Sequence, residues 1–219
     1  MFGTRGWVVV MMLGLGLFSK PVLAKGPALD FGLGFGGTTI DGSLPEIDNS
    51  FGSRFNFNFS FPIAPDTAIE PLRLGIGFSI EGTMEEGPRI RDDDEDDRIE
   101  ERPYSSYFAF SPEIKLAWSQ PLGERLFVEP SVAVVMPIAN YSVGEVESYR
   151  YYRDYYDEDD DQTRVGFGVR PALALGFNLT EHQAIGLVFS YLWADVNFSE
   201  PIGDKVEAFD VLFFYRLTF

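Results

Sequence analysis

Arg54-Phe55-Asn56-Phe57-Asn58-Phe59-Ser60-Phe61 is the stretch that decides the fold of this chain. An aromatic ring falls on every second residue, with Arg54, Asn56, Asn58 and Ser60 between. In an extended strand successive side chains point to opposite faces, so the four rings share one face and the polar groups the other. A helix would scatter the same rings around its circumference.

The alternation repeats along the chain. Leu29, Phe31, Leu33 and Phe35 precede it; Leu72, Leu74, Ile76, Phe78 and Ile80 follow, then Phe108, Phe110, Ile114, Leu116 and Trp118. Val128, Val132, Val134, Met136 and Ile138 mark a fifth segment, and Val165, Phe167, Val169, Leu173, Leu175 and Phe177 a sixth. Ile185, Leu187, Phe189, Tyr191 and Trp193, then Val211, Phe213, Tyr215, Leu217 and Phe219, complete eight. The pattern predicts an all-β chain of eight antiparallel strands.

The connections alternate in length. Pro62–Ala68, Ser119–Arg125 and Thr180–Gln183 are short, whereas Asp41–Ser50, Gly82–Pro103, Asn140–Thr163 and Asn197–Lys205 are longer and polar. An up-and-down meander therefore gathers the long loops at one end and the short turns at the other. The bulky face is Phe, Leu, Val and Ile; the opposite face is Gly, Ala, Ser, Asn and charge. A soluble barrel would place the bulky face inside. Glycines and charges fit a narrow lumen instead, leaving the bulky face to lipid and the backbone satisfied by closure. Trp118, Tyr215 and Phe219 near the turns, and Tyr104, Tyr107, Tyr141 and Trp193 near the loops, read as two aromatic girdles. Pro112, Pro130 and Pro171 fall inside strands, where each removes a ladder hydrogen bond; a bulge or a place at the lipid interface would accommodate them.

Composition agrees. The 219 residues carry 17 Lys and Arg against 34 Asp and Glu, a net charge of -17, which disfavours nucleic-acid binding. No cysteine is present, so disulfides, cysteine nucleophiles and thiolate zinc sites are excluded. With 21 Phe the chain is too rich in rings for an acidic disordered protein. Residues 1–24 read as a signal peptide: Arg5, an apolar run from Val8 to Phe18 too short for the roughly 20 residues of a membrane helix, and a small-residue site at Val22-Leu23-Ala24. Residues 25–219 are then the barrel.

With these features the chain resembles small outer-membrane β-barrels of the OmpA/OmpX type in Gram-negative bacteria. The ending that carries Phe213, Tyr215, Leu217 and Phe219 resembles the C-terminal assembly signal of that class. The resemblance implies an exported outer-membrane protein, recognition by the barrel-assembly machinery, and contact with outer-membrane lipid and lipopolysaccharide. A chain ending at Phe219 is expected to lack the peptidoglycan-binding domain of full OmpA-like proteins.

Ten charged residues face the lumen by the alternation: Asp30, Arg54, Arg73, Glu81, Glu113, Lys115, Glu129, Arg170, Asp210 and Arg216. Charges in a narrow lumen are costly unless paired, so a network that plugs it is expected. If Trp118 opposes Leu126, Lys115 meets Glu129; Asp30 and Arg216 meet at the closing seam. Inward Val188, Leu192, Leu212 and Phe214 would alternatively line an apolar path for a hydrophobic ligand.

The acidic runs Asp92–Asp97 and Asp157–Asp161 read as self-repelling loop tips. Loose Ca²⁺ or Mg²⁺ at Asp92, Asp93, Asp94, Asp157, Asp159 and Asp161 is the metal reading, without the glycine and terminal glutamate of an EF-hand. Arg89, Arg91, Arg98, Arg102, Arg150 and Arg153 could reach lipopolysaccharide phosphates. Tyr149, Tyr151, Tyr152, Tyr155 and Tyr156 read as a ribbon above the membrane, with tyrosines pairing across it and open to a cell-surface partner. The single histidine, His182, lies in a short turn and reads as solvated, so no catalytic constellation is assembled. The expectation is a monomer with a structural or surface-interaction role. Its alternatives are a narrow pore for ions or small or hydrophobic solutes, and a lipid A-modifying enzyme.

Overall fold

A computed structural model describes residues 26–41, 50–63, 72–86, 90–91, 99–149, 155–198 and 205–219. The signal-peptide reading of residues 1–24 falls outside them. Eight strands form: β1 (Ala28–Asp41), β2 (Ser50–Pro62), β3 (Leu72–Glu86) and β4 (Ile99–Trp118) are followed by β5 in two arms, Leu126–Val135 and Ile138–Tyr149. β6 also has two arms, Tyr155–Val165 and Phe167–Asn178; β7 (Gln183–Asp195) and β8 (Lys205–Thr218) complete the chain. Each strand pairs antiparallel with its sequence neighbours, and β8 pairs with β1 from Ala28↔Thr218 to Asp41↔Lys205. The sheet thereby closes, and no edge is left along the barrel wall.

The outer face is apolar. Leu33 and Phe167 are each 66% exposed, and Phe35, Ile76, Ile114, Leu126, Val134, Val165 and Phe213 are also bared. Phe31, Phe57, Phe78 and Phe110 form a row of neighbouring rings across β1 to β4, with successive centroids 5.3, 5.5 and 5.4 Å apart. In water such a belt would be an aggregation surface; in lipid it is the required outer coat. Meanwhile the charged residues of the alternate phase are buried inside, except Lys115, which is half-buried.

The prolines are absorbed without a register shift. On β4, Ile99–Phe110 pairs with the second arm of β5 and Glu113–Ala117 with the first, in one continuous register interrupted only at Ser111-Pro112 and, opposite them, Met136-Pro137. There the Met136 amide donates to the Pro112 carbonyl at 3.0 Å, and Pro112 has no N–H to return. Pro171 likewise coincides with the gap between Val169↔Trp193 and Ala172↔Ser190. The one register shift between β5 and β6 lies at Val143/Gly144, away from all three strand prolines.

Three sequence expectations change. The connection after β4 is not a tight return at Trp118: Gln120–Pro121 still pairs with Val128 and Phe127, and the turn proper is Leu122–Arg125. Lys115 therefore faces Ala133, four positions from Glu129. In the Asn140–Thr163 segment β5 and β6 continue together as the expected ribbon, but without tyrosine opposite tyrosine. Tyr155 and Tyr156 face Glu147 and Val146 in it, and Tyr149 faces Ile99, so no two of these three are partners in register, and Tyr151 and Tyr152 lie outside the described residues. Finally, Tyr107 and Tyr141 are only 2% and 1% exposed. They share the inward phase of Ala109 and Ala139 and close the lumen instead of joining a lipid girdle. Trp193 remains outward, while the side chain of Tyr104 lies outside the described residues.

Candidate functional site

The lumen is filled in three layers. Nearest the turns, Arg216 is gripped from two sides. Its Nε and Nη2 donate to Asp30 Oδ1 and Oδ2 at 2.6 and 2.9 Å, and its Nη1 and Nη2 to Glu129 Oε2 and Oε1 at 2.8 Å each. Both are bidentate forks, the geometry that gives arginine its strongest pairing with carboxylates. The guanidinium also lies 5.4 and 5.6 Å from the ring centroids of Phe127 and Phe214. Lys115 reaches Asp30 at 3.7 Å, so its carboxylate partner is Asp30 and not Glu129. Arg73 donates to Ser60 Oγ at 3.3 Å and to the Gly26 carbonyl at 2.8 Å.

Glycine makes this layer possible. A Cβ at Gly176 would lie 2.1 Å from the tip of the Phe127 ring, and one at Gly186 would lie 2.6 Å from the Phe214 ring. Each ring sits over the glycine facing it in the neighbouring strand.

The middle layer repeats the design. Arg170 donates through Nη1 to Ser79 Oγ and Glu113 Oε2, both at 2.9 Å, and through Nη2 to Glu81 Oε2 at 3.4 Å. Asn56 Nδ2 donates to the other oxygen of Glu113 at 3.0 Å. Arg54 pairs with Asp210, and its Nη1 also donates to Ser190 Oγ at 2.9 Å. Between the two charged layers lies a cavity of about 50 Å³ with Lys115 at its wall and Val188, Leu212 and Phe214 on its apolar side. At about 10–15 Å³ for each water, that space suits a few waters.

The third layer, at the loop end, is apolar. Ile40, Tyr107, Tyr141, Leu192, Val196, Phe198 and Val206 form one buried cluster with several alanines. Sequence reasoning missed it as a layer. Leu192 reads as inward, but Val196 and Phe198 lie beyond the end of β7, and the two tyrosines resemble interface anchors.

His182 is exposed in the Leu179–His182 turn, its amide donating to Thr180 Oγ1 at 3.2 Å. Among the described residues no group of three His, Cys, Asp or Glu side chains is arranged to hold a metal. Asp92, Asp93 and Asp94 lie outside the described residues, as do the side chains of Asp157, Asp159 and Asp161. Phe213 and Phe219 are exposed on the outer face, and Tyr215 and Leu217 are half-buried there.

Three solved structures of bacterial surface and outer-membrane proteins are similar to this chain. Neisserial surface protein A is similar at 11% identity and a TM-score of 0.47, over 88% of this chain and 97% of that one. The Yersinia pestis attachment invasion locus protein Ail, in complex with the heparin analogue sucrose octasulfate, aligns at 12% identity and 0.41, over 88% and 99%. The outer membrane protein OprG from Pseudomonas aeruginosa aligns at 10% and 0.41, over 90% and 99%. These likenesses concern the fold alone. No protein-family model matches the chain, and no curated protein matches it in sequence. Closure, the lipid-facing belt and the buried charged interior make the chain an outer-membrane β-barrel protein.

Proposed function

We propose that this barrel has a structural or surface-interaction role, with its lumen closed by charged side chains and its acidic loops at the cell surface. The observation that carries the reading is the pairing inside the wall. Arg216, Arg170 and Arg54 are each held by one or two carboxylates across the lumen, drawn from several different strands. Groups locked in that way plug an eight-stranded barrel, whose interior is about wide enough for side chains to fill. The long-loop end then supplies the surface for partners, including lipopolysaccharide phosphates and loosely held divalent cations at the acidic runs. The outward Phe213, Tyr215, Leu217 and Phe219 serve recognition by the barrel-assembly machinery. The protein acts as a monomer and without catalysis, its single histidine, His182, being exposed in a short turn.

A second reading is a narrow pore, favoured by the cavity between the charged layers with its apolar wall of Val188, Leu212 and Phe214. Fractionation with surface labelling tests the first reading. The protein should be recovered with the outer membrane, and a tag within residues 150–154 should bind antibody on intact cells. Recovery in the soluble periplasm, or a tag hidden on intact cells, would overturn it.

A further inference from the structure

The residues just after β7 keep its inward phase without its ladder. Inward positions of β7 run through Ser190, Leu192 and Ala194, and the same phase continues to Val196 and Phe198. Yet the ladder with β8 ends at Asp195↔Lys205, and Asn197 takes a left-handed φ of 56°. Asparagine is among the few side chains that enter that region readily. The kink leaves Asn197 exposed while Val196 is 0% and Phe198 3% exposed, both inside the apolar layer.

Phe198 lies against Tyr141 of β5, two strands away, with centroids 5.9 Å apart. Val196 lies on β6 where that strand breaks at Gly166. A Cβ there would be 2.4 Å from the Asp195 carbonyl oxygen and 2.8 Å from Val196 Cα. Glycine at 166 thus lets the strap lie against the wall. Ile40, Tyr107, Leu192 and Val206, from four other strands, surround the two inserted side chains.

We propose that Val196-Asn197-Phe198 is an apolar stopper that seals the loop-end mouth, independently of the charged layers beneath it. The seal uses no ion pair, so breaking the charged network does not open it. The barrel then has two closures in series, one apolar at the loop end and one electrostatic towards the turns.

The chain has no cysteine, so a single reporter thiol is unambiguous. Thr38 is buried and inward on β1, level with Ala208 of the apolar layer. Thr38→Cys in micelles should react with a methanethiosulfonate carrying a trimethylammonium group at least tenfold more slowly than the exposed control Thr163→Cys. Adding Val196→Ala and Phe198→Ala should raise the rate at least tenfold, whereas adding Lys115→Ala should leave it slow. Should the double alanine variant fail to assemble, Phe198→Ala alone is read by the same criterion. An unchanged slow rate in a stopper variant that keeps its heat-dependent gel shift overturns the proposal. So does a Thr38→Cys parent that reacts as fast as the control. A rate raised by Lys115→Ala and not by the stopper variants would assign closure to the charged network alone.

Discussion

Asp30 and Arg216 meet across the seam where the first and last strands close the barrel, directly opposite in register and joined by two hydrogen bonds of 2.6 and 2.9 Å. The pair thus ties closure to the filling of the lumen. A barrel whose last strand slipped by one residue would turn Arg216 to lipid and leave Asp30 and Glu129 buried without it.

Arg216→Met should therefore be costly. It keeps the stem over Phe127 and Phe214 but abandons two buried carboxylates, for a loss of about 3–5 kcal/mol. The temperature at which the folded gel band converts to the unfolded one should drop clearly. An unchanged conversion temperature would mean the seam pair contributes nothing to closure.

Lys115→Ala provides the contrast. Lys115 holds Asp30 through one long contact of 3.7 Å and keeps some solvent access, so its removal should cost about 1 kcal/mol or less. A conversion temperature as low as that of Arg216→Met would show that the lysine anchors the layer.

Gly176→Ala should impair assembly by pushing a methyl group into the Phe127 ring, with overpacking worth about 1–3 kcal/mol. Adding Phe127→Ala removes the obstacle. The double variant should fold better than Phe127→Ala alone would suggest from adding the two single effects. Strict additivity of the two losses would show that ring and glycine do not share the space.

Much of this arrangement was legible in the sequence, for a physical reason. A period of two is imposed by the strand itself, so alternation from Leu29 to Phe219 exposed the strands, their lipid face and the ten inward charges. The Asp30–Arg216 meeting was legible because both lie close to the ends of adjacent strands, where register has little room to drift. Lys115 with Glu129 was not. A turn can absorb residues into the ladder, as Gln120 and Pro121 do, and each added pair shifts every partner beyond it. Tyr107 was readable in principle, since it shares the parity of Ala109, Ser111 and Glu113. Its chemistry pointed to the interface and its parity to the lumen, and parity decides. Phe198 keeps the inward parity of Leu192 and Ala194, but it lies beyond the end of the ladder with β8, where alternation alone does not signal a strand.

The topology is open to a direct test on cells. The stretches between Glu86 and Ile99 and between Tyr149 and Tyr155 are charged in sequence, so external protease should cut there, while a tag at Glu181 in the opposite turn stays protected. Labelling at Glu181 from outside would invert the barrel.

Ion current through the purified protein in a planar bilayer tests closure of the lumen most directly. With Arg216, Arg170 and Arg54 locked to carboxylates below an apolar mouth, the parent should insert and remain silent. A variant carrying Arg216→Met together with Phe198→Ala should flicker or conduct. A steady current through the folded parent, unchanged in that variant, would contradict the closed lumen.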